Sequence, residues 1–467
     1  MGRLVCVSNS IALPRKSVAP GGLTVGILSA LKRTGGMWFG WGGEIIDQDP
    51  GDPDIHIRDG VTYATIDLKR RDYELYYNGY SINLLRPLFH YSLRNMRYSA
   101  EERDAYEHVN RLFAHRLAPL LQPQDLIWVH DFHLIPLGRL LREQGVRRPL
   151  GFFMHTPFPH IEMLRVLPTY AELLHDLTHY DVVGFQTESD LRAFHSGIEH
   201  LFGREAIRPD GRIRVGERIV HADVFPIGVD VEAVQSAAAA AMDTDVVKRM
   251  IDSLMARSLM IGVDRLDYSK GLVERFDAYQ HFLENYPENI GRITYIQIAP
   301  LSRTDERAYE DIRRALEQAA GRTNGRFADT DWTPIRYLNR NFPHATLWGF
   351  LRAANVGIVT PLRDGMNLVA KEFVAAQNPE NPGVLILSTL AGAARELNAA
   401  LLVNPYDTRA VSHAIQTALA MPLPERRERH AAMLQVLKRN DINAWTRRFI
   451  DALESAPREL PRVKMAS

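Results

Sequence analysis

Between Ile358 and Phe373 the chain reads IVTPLRDGMNLVAKEF, a spacing of polar groups suited to a molecule that carries both hydroxyls and phosphates. The apolar run Val356 to Val359 predicts a buried parallel strand. Pro361 and Gly365 break that pattern, and Asn367 opens a helical stretch through Leu368, Val369, Lys371 and Glu372. A strand, a glycine-containing turn and a helix N-terminus together make an anion site, because unpaired backbone N–H groups and the helix dipole face the turn. Asp364 lies inside the turn, where a carboxylate would repel phosphate and more readily accepts hydrogen bonds from sugar hydroxyls. Glu372, two helical turns further on, could reach a second hydroxylated ring. Sugar, diphosphate and ribose in order along one loop and helix are what a nucleotide sugar requires. An ordinary strand–turn–helix with surface charges fits the same residues.

Other constellations support that chemistry. In RLDYSKG, Arg265 and Lys270 stand five apart at a strand end before a helix, where both could reach a leaving diphosphate and stabilise its growing negative charge. Their alternative is a pair of solvated surface cations. Gly21 and Gly22 precede a helix through Leu28 and Leu31, allowing backbone amides to approach a diphosphate closely, although a simple turn also explains them. In GMWFGWGG, Trp38 and Trp41 stand among glycines; aromatic rings on a flexible loop suit sugar faces, and a core Trp is the competing reading. In VHDFH, Asp131 at a strand end can bind an acceptor hydroxyl. His130 and His133 lack an apparent third ligand, so no metal is expected there. HTPFP holds His155 in a loop stiffened by two prolines, or buries it as a core histidine.

The elements that must position these residues alternate along the chain. Strands are expected at Leu4 to Val7, Leu126 to Val129, Leu150 to Met154, Val182 to Phe185 and Val224 to Ile227. A second series comprises Leu259 to Val263, Ile293 to Ile298, Val356 to Val359, Val384 to Leu387 and Leu401 to Val403. Strands interleaved with helices imply an α/β protein with parallel sheets covered on both faces. The series restarts after Gly228 and an alanine run, so two doubly wound, Rossmann-like domains are expected, 1–234 and 235–442, facing each other across a cleft. The amphipathic helix near 443–455, with Trp445, Phe449 and Ile450, is expected to pack back on the body. In doubly wound sheets ligands bind beyond the carboxyl ends of the strands, where Asp131, His155, Arg265, Arg303 and Asp364 all fall.

At 467 residues the chain is long enough for two or three domains. Its 56 basic and 56 acidic residues cancel, which argues against nucleic acid or an anionic membrane as the main partner and makes basic site residues local devices for phosphate. Cys6 is the only cysteine and stands in an apolar run. The N-terminus lacks a signal-peptide pattern and no apolar stretch approaches membrane-spanning length, so a cytoplasmic protein is expected.

These segments resemble the trehalose-6-phosphate synthases, retaining glycosyltransferases of family 20 with the GT-B fold. The resemblance runs from Gly2 to about Leu453 and includes GGL, GMWFGW, YYNGYS, FHY, VHDFHLIPL, GFFMHTPFP, GFQTESD, RLDYSKGL, YIQIAP, LRDGMNLVAKEFVAAQ and LVNPYD. It implies transfer of glucose from UDP-glucose to glucose 6-phosphate, without metal, cofactor or enzyme nucleophile, in a homo-oligomer. It also implies that Gly22 lies against the donor diphosphate, that Arg265 and Lys270 bind its phosphates, and that Asp364 with the backbone of Gly365, Met366 and Asn367 holds the transferred glucose. Leu368 and Val369 would offer amides to phosphate, Glu372 would bind the ribose, and His155 would contact the donor sugar. On the acceptor side it implies Asp131 for hydroxyls and Tyr77 and Arg303 for phosphate, with Trp41 alongside. The chain departs from the family at three positions: Ser10 where an arginine is usual, Ile82 for asparagine, and Arg86 for tryptophan. One cation is lost and one gained, so Arg86 could replace the phosphate contact missing at Ser10. A related enzyme with a different phosphorylated acceptor, or a catalytically silent sugar-phosphate sensor, are the alternatives.

Overall fold

The computed structural model describes residues 2–11, 22–300 and 307–456. By packing, the described residues up to 226 together with 443–456 form one unit, and 227–442 form a second.

In the first unit the strands are β1 (Leu4–Ser10), β2 (Met37–Ile46), β3 (Asp54–Arg58), β4 (Val61–Lys69), β5 (Leu126–His130), β6 (Leu150–Phe153), β7 (Val182–Phe185), β8 (Ile213–Val215) and β9 (Arg218–Val224). They form one sheet in the order β3-β4-β2-β1-β5-β6-β7-β9-β8. Its interior pairs are parallel, and antiparallel hairpins, β3–β4 and β8–β9, close the two edges. Apart from Ser10 at the end of β1, the central strands are fully buried, as continuous apolar runs covered on both faces require.

In the second unit β10 (Ser258–Val263), β11 (Ile293–Ile298), β12 (Ile335–Leu338), β13 (Val356–Val359), β14 (Val384–Ser388) and β15 (Leu401–Val403) are all parallel, in the order β12-β11-β10-β13-β14-β15. Both sheets are therefore wound outward in two directions from their first strand. The chain reverses direction beside β1, next to β5, in one unit and beside β10, next to β13, in the other. At such a point adjacent loops leave in opposite directions and open a crevice at the strand ends.

The expected pair of α/β units with parallel sheets is present, with corrections in detail. GMWFGWGG is not a flexible loop but the body of β2. Trp38 is buried in it, its indole N–H donating to Ser8 Oγ at 2.8 Å, and Trp41 is half-buried. Glycine is required in this strand because a Cβ at Gly40 would lie 2.2 Å from the Ser8 carbonyl oxygen. The strand expected at Val224 to Ile227 instead ends at Val224. Gly22 opens the helix Gly22–Thr34, whereas Gly21 lies outside the described residues.

The helix Ile442–Glu454 packs on the first sheet through Trp445 and Phe449, both wholly buried. The Phe449 ring stacks on Trp128 at 4.4 Å between centroids and 10° between planes. Glycines on β6 and β7 make room for it, since a Cβ at Gly151 or Gly184 would meet the Phe449 ring at 2.7 or 2.9 Å. Phe449→Ala should therefore lower unfolding free energy by about 3–5 kcal/mol. Chemical denaturation checks this, and a loss below about 1 kcal/mol would show that the helix adds little to the fold.

Candidate active site

At the reversal point of the second unit, the loops after β10 and β13 are bonded to each other. β10 runs into Asp264 and Arg265, a short turn Tyr268–Lys270, Gly271 and the helix Leu272–Asn285. Gly271 has φ +63°, and a Cβ there would lie 2.5 Å from the Thr360 carbonyl oxygen. Only glycine both adopts this backbone without strain and permits so close an approach. Across the gap the N–H of Leu362 donates to the Ser269 carbonyl at 2.8 Å.

Beneath both loops lies Arg275, wholly buried on the inner face of the Leu272–Asn285 helix. Its Nη1 donates to Asp264 Oδ2 at 2.8 Å and to Gln297 Oε1 at 2.9 Å. Its Nε donates to Thr360 Oγ1 at 3.0 Å and its Nη2 to the Lys270 carbonyl at 3.2 Å. One guanidinium thus ties β11 and the ends of β10 and β13 to the carbonyl of Lys270. The reading of the motifs missed it. Its signal is an arginine sharing the apolar face of Leu272, Phe276 and Tyr279, at intervals of three and four residues.

Lys270 and Asp364, expected to serve different parts of a ligand, are brought together: Lys270 Nζ donates to Asp364 Oδ2 at 2.5 Å. Asn367 Nδ2 donates to the same oxygen at 3.0 Å. The lysine neutralises the carboxylate, which removes the repulsion that a carboxylate beside a phosphate cradle would otherwise exert. Asn367, at φ 70°, caps the helix Leu368–Ala376 by accepting from the Ala370 N–H. First-turn amides such as those of Leu368 and Val369 have no carbonyl within the helix to bond, so they suit an anion. The turn is rigid at Gly365 and Met366: the Ala393 N–H donates to the Met366 carbonyl at 2.8 Å, and a Cβ at Gly392 would fall 1.9 Å from the Gly365 oxygen. Arg265 is exposed on the same loop as Lys270, while Arg303 lies outside the described residues. Burial pushes the Glu372 carboxyl up to about 7, with the Trp348 indole favouring the charged form without a hydrogen bond of good geometry. Glu372 keeps some accessible surface, which moderates the effect.

In the first unit the reversal point presents Asn9, Ser10 and Asp131. Asp131 has φ 71° and ψ 166°, a backbone region that residues other than glycine rarely occupy and that costs about 1–3 kcal/mol. The strain is held by its surroundings. Tyr106 Oη donates to the Phe132 carbonyl at 2.5 Å, Asn110 Nδ2 to the His133 carbonyl at 3.0 Å, and Tyr180 Oη to the Leu134 carbonyl at 2.9 Å. The His155 N–H donates to Asp131 Oδ1 at 3.2 Å. Burial raises the Asp131 carboxyl to about 6, against the opposing pull of the Phe132, His155 and Thr156 amides and the Arg86 charge.

Arg86 is buried at the end of Tyr73–Leu85, which winds as a π-helix, a form uncommon outside functional sites. That helix is anchored to β1 by Tyr76, whose hydroxyl donates to Asn9 Oδ1 at 2.7 Å. Ser10 is exposed and its carbonyl accepts from Ser8 Oγ at 2.8 Å; Ile82 is buried. Tyr77 stacks on Tyr73 at 5.2 Å and on His133 at 5.7 Å, and Trp41 lies 6.2 Å from Tyr77.

The two histidines of VHDFH point apart. His133 joins the Tyr77 stack, whereas His130 Nδ1 lies 3.1 Å from His155 Nε2. Burial keeps both members of that pair neutral, lowering His155 to about 3 and His130 well below its ordinary value. One ring must donate to the other. Among the described residues His130 Nε2 is buried without a partner, and an unpaired acceptor there is easier to accommodate than an unpaired N–H. His130 Nδ1–H therefore donates, leaving His155 with its own proton on Nδ1.

The two doubly wound units match solved structures of the GT-B class of glycosyltransferase. The chain belongs to glycosyltransferase family 20, whose sequence profile matches residues 13–455. It is 47% identical over 459 residues to a trehalose-6-phosphate synthase of Sodalis glossinidius, covering 98% of this chain and 97% of that one. Among solved structures, an Escherichia coli protein described as bound with UDP-2-fluoro glucose superposes with a TM-score of 0.94 at 46% identity, covering 98% of this chain and all of the other. An alpha,alpha-trehalose-phosphate synthase (UDP-forming) from Burkholderia xenovorans in complex with glucose-6-phosphate superposes with a TM-score of 0.93 at 46% identity, covering 97% and 100% of the two chains.

A carboxyl raised in the folded state penalises folding once the unfolded chain ionises. The Glu372 penalty is absent below the ordinary glutamate value of 4.5, grows as pH rises to about 7, and is constant above that. Glu372→Gln should thus gain about 1–2 kcal/mol over the parent at pH 8 compared with pH 4.5. Denaturation at the two pH values checks this, and an equal difference at both would place the carboxyl at its ordinary value.

Proposed function

We propose that this chain transfers glucose from UDP-glucose to glucose 6-phosphate, forming α,α-trehalose 6-phosphate and UDP with retention of configuration. The observation that carries this reading is the Lys270–Asp364 pair, bonded at the reversal point of a parallel sheet beside the capped helix N-terminus at Asn367. Membership of the family and the ligands named for the Escherichia coli and Burkholderia xenovorans structures support it.

In this reading Arg265 and Lys270 take the donor phosphates, with Gly22 against the diphosphate and the Leu368 and Val369 amides adding donors. Asp364 and the backbone of Gly365, Met366 and Asn367 hold the glucose hydroxyls, and Glu372 accepts from the ribose. His155, donating through Nδ1, meets a hydroxyl of the transferred sugar. As the bond from the sugar C1 to the diphosphate oxygen breaks, the acceptor hydroxyl adds to C1 on the same face. Its proton passes to the departing phosphate oxygen, so no enzyme carboxylate is consumed. The cationic pair stabilises charge that appears only as the bond breaks, which is where stabilisation raises the rate. Asp131 orients the acceptor through its hydroxyls, and Tyr77, Trp41 and Arg303 complete the acceptor side.

Arg86 and Ser10 concern the acceptor phosphate. Arg86 is buried and its charge acts on Asp131, so it has two tasks in this reading: keeping Asp131 ionised and replacing the cation absent at Ser10. The departures at Ser10, Ile82 and Arg86 also favour a second reading, the same donor chemistry on a different phosphorylated acceptor.

The test is UDP release from UDP-glucose with and without glucose 6-phosphate, with identification of the product. Release that depends on glucose 6-phosphate and yields trehalose 6-phosphate is expected; release only with another sugar phosphate would favour the second reading. Turnover should fall as pH drops through about 6, where Asp131 takes up its proton, and Asp131→Asn should abolish that limb. Arg86→Ala should move the limb to higher pH and raise KM for glucose 6-phosphate about tenfold, the loss of one charged contact. An unchanged KM would remove Arg86 from the phosphate site.

A further inference from the structure

His175, Asp176 and His179 have no part in the site described above. They lie at the end of the helix Tyr170–Leu177 and in the turn that follows it. One ligand atom from each falls within 4.8 Å of the other two. Asp176 and His175 also line a cavity of about 720 Å³, together with Arg139, Tyr106 and Thr169.

We propose that His175, Asp176 and His179 form a binding site for a divalent ion of the zinc class, with its remaining coordination positions open toward the cavity. Two imidazoles and one carboxylate are the donor set such an ion takes, whereas magnesium and calcium select oxygen donors. The imidazoles are at positions i and i+4, which on a helix end face the same side. Their rings are 4.8 Å apart between centroids. Closing to bonding distance around a tetrahedral ion, where donors lie roughly 3.3 Å apart, needs only side-chain movement at an accessible helix end.

Two of the three ligands already carry the hydrogen bonds that orient a metal ligand. His179 Nδ1 lies 3.0 Å from the His175 carbonyl oxygen; a carbonyl can only accept, so Nδ1 carries the proton and Nε2 presents its lone pair. Asp176 Oδ1 accepts from Arg139 Nε at 2.6 Å, which fixes the carboxylate plane while Oδ2 stays outside that bond. The Arg139 guanidinium is itself held by Glu107 and Glu143.

The test uses the full chain without a histidine tag, stripped of metal and titrated with Zn²⁺ by calorimetry, with Co²⁺ absorption as a reporter of ligand field. One ion per chain is expected, with a Co²⁺ spectrum of four- or five-coordinate type and a Zn²⁺-dependent rise in Tm. His175→Ala and His179→Ala should each weaken binding by at least about tenfold. His175 is exposed, so its variant serves if His179→Ala fails to fold. No Zn²⁺ binding by the parent chain overturns the site, as does unchanged affinity in the folded His175→Ala variant.

Discussion

One buried guanidinium organises the reversal point of the second unit. Arg275 lies wholly inside the second unit, yet its nitrogens reach Asp264, Gln297, Thr360 and the carbonyl of Lys270. A charge so far from water is tolerated only when it is paired and its donors are satisfied, and removing one partner of such a pair costs about 3–5 kcal/mol. Here the pairing also has a geometric consequence. The partners sit on β11 and at the ends of β10 and β13, so satisfying Arg275 fixes the spacing of the two loops that present Lys270 and Asp364. Gly262 yields the room: a Cβ there would meet Gln297 Oε1 at 2.4 Å and Arg275 Nη1 at 2.7 Å. Buried ion pairs in general add little net stability over well-packed apolar groups, so the structural consequence here is the fixed spacing.

The first unit achieves the same end with neutral groups and backbone strain. Asp131 is held at a positive φ by bonds from Tyr106, Asn110 and Tyr180 to the carbonyls that follow it. All three are buried, so relaxing the turn would break bonds that water is not placed to replace. The resulting carboxylate is titratable near neutrality because burial and amide bonds oppose each other there. His155 is oriented in the same manner by His130, whose side chain, among the described residues, bonds only to the neighbouring ring. In both units, the groups that would touch substrate are positioned by buried polar groups that would not.

What could be read from the sequence followed local periodicity. The Val356–Val359 strand, the turn at Asp364 and the Asn367 helix start were legible because an apolar run, a glycine and a capping residue lie next to one another. β2 was not legible: its glycines weaken a strand by propensity, and the reason for them, close approach of Ser8 and Thr65, comes from strands elsewhere in the chain. The Lys270–Asp364 pair joins residues 94 apart, beyond any periodic signal. Arg275 was passed over because an arginine in a helix is usually solvated, and only its place on the apolar face distinguishes it. Arg86 was noticed as a departure from the family, but its effect on Asp131 depends on a π-helix that no spacing rule anticipates.

The most direct check is the affinity of UDP for Arg275→Lys, measured by calorimetry on protein whose circular dichroism matches the parent. Lysine keeps the buried charge but lacks the planar fork, so it cannot bond all four partners at once. If Arg275 sets the spacing of the two loops, the folded variant should bind UDP at least about tenfold more weakly, a difference of roughly 1.4 kcal/mol. Unchanged UDP affinity in a folded Arg275→Lys would show that the loops hold their positions without it.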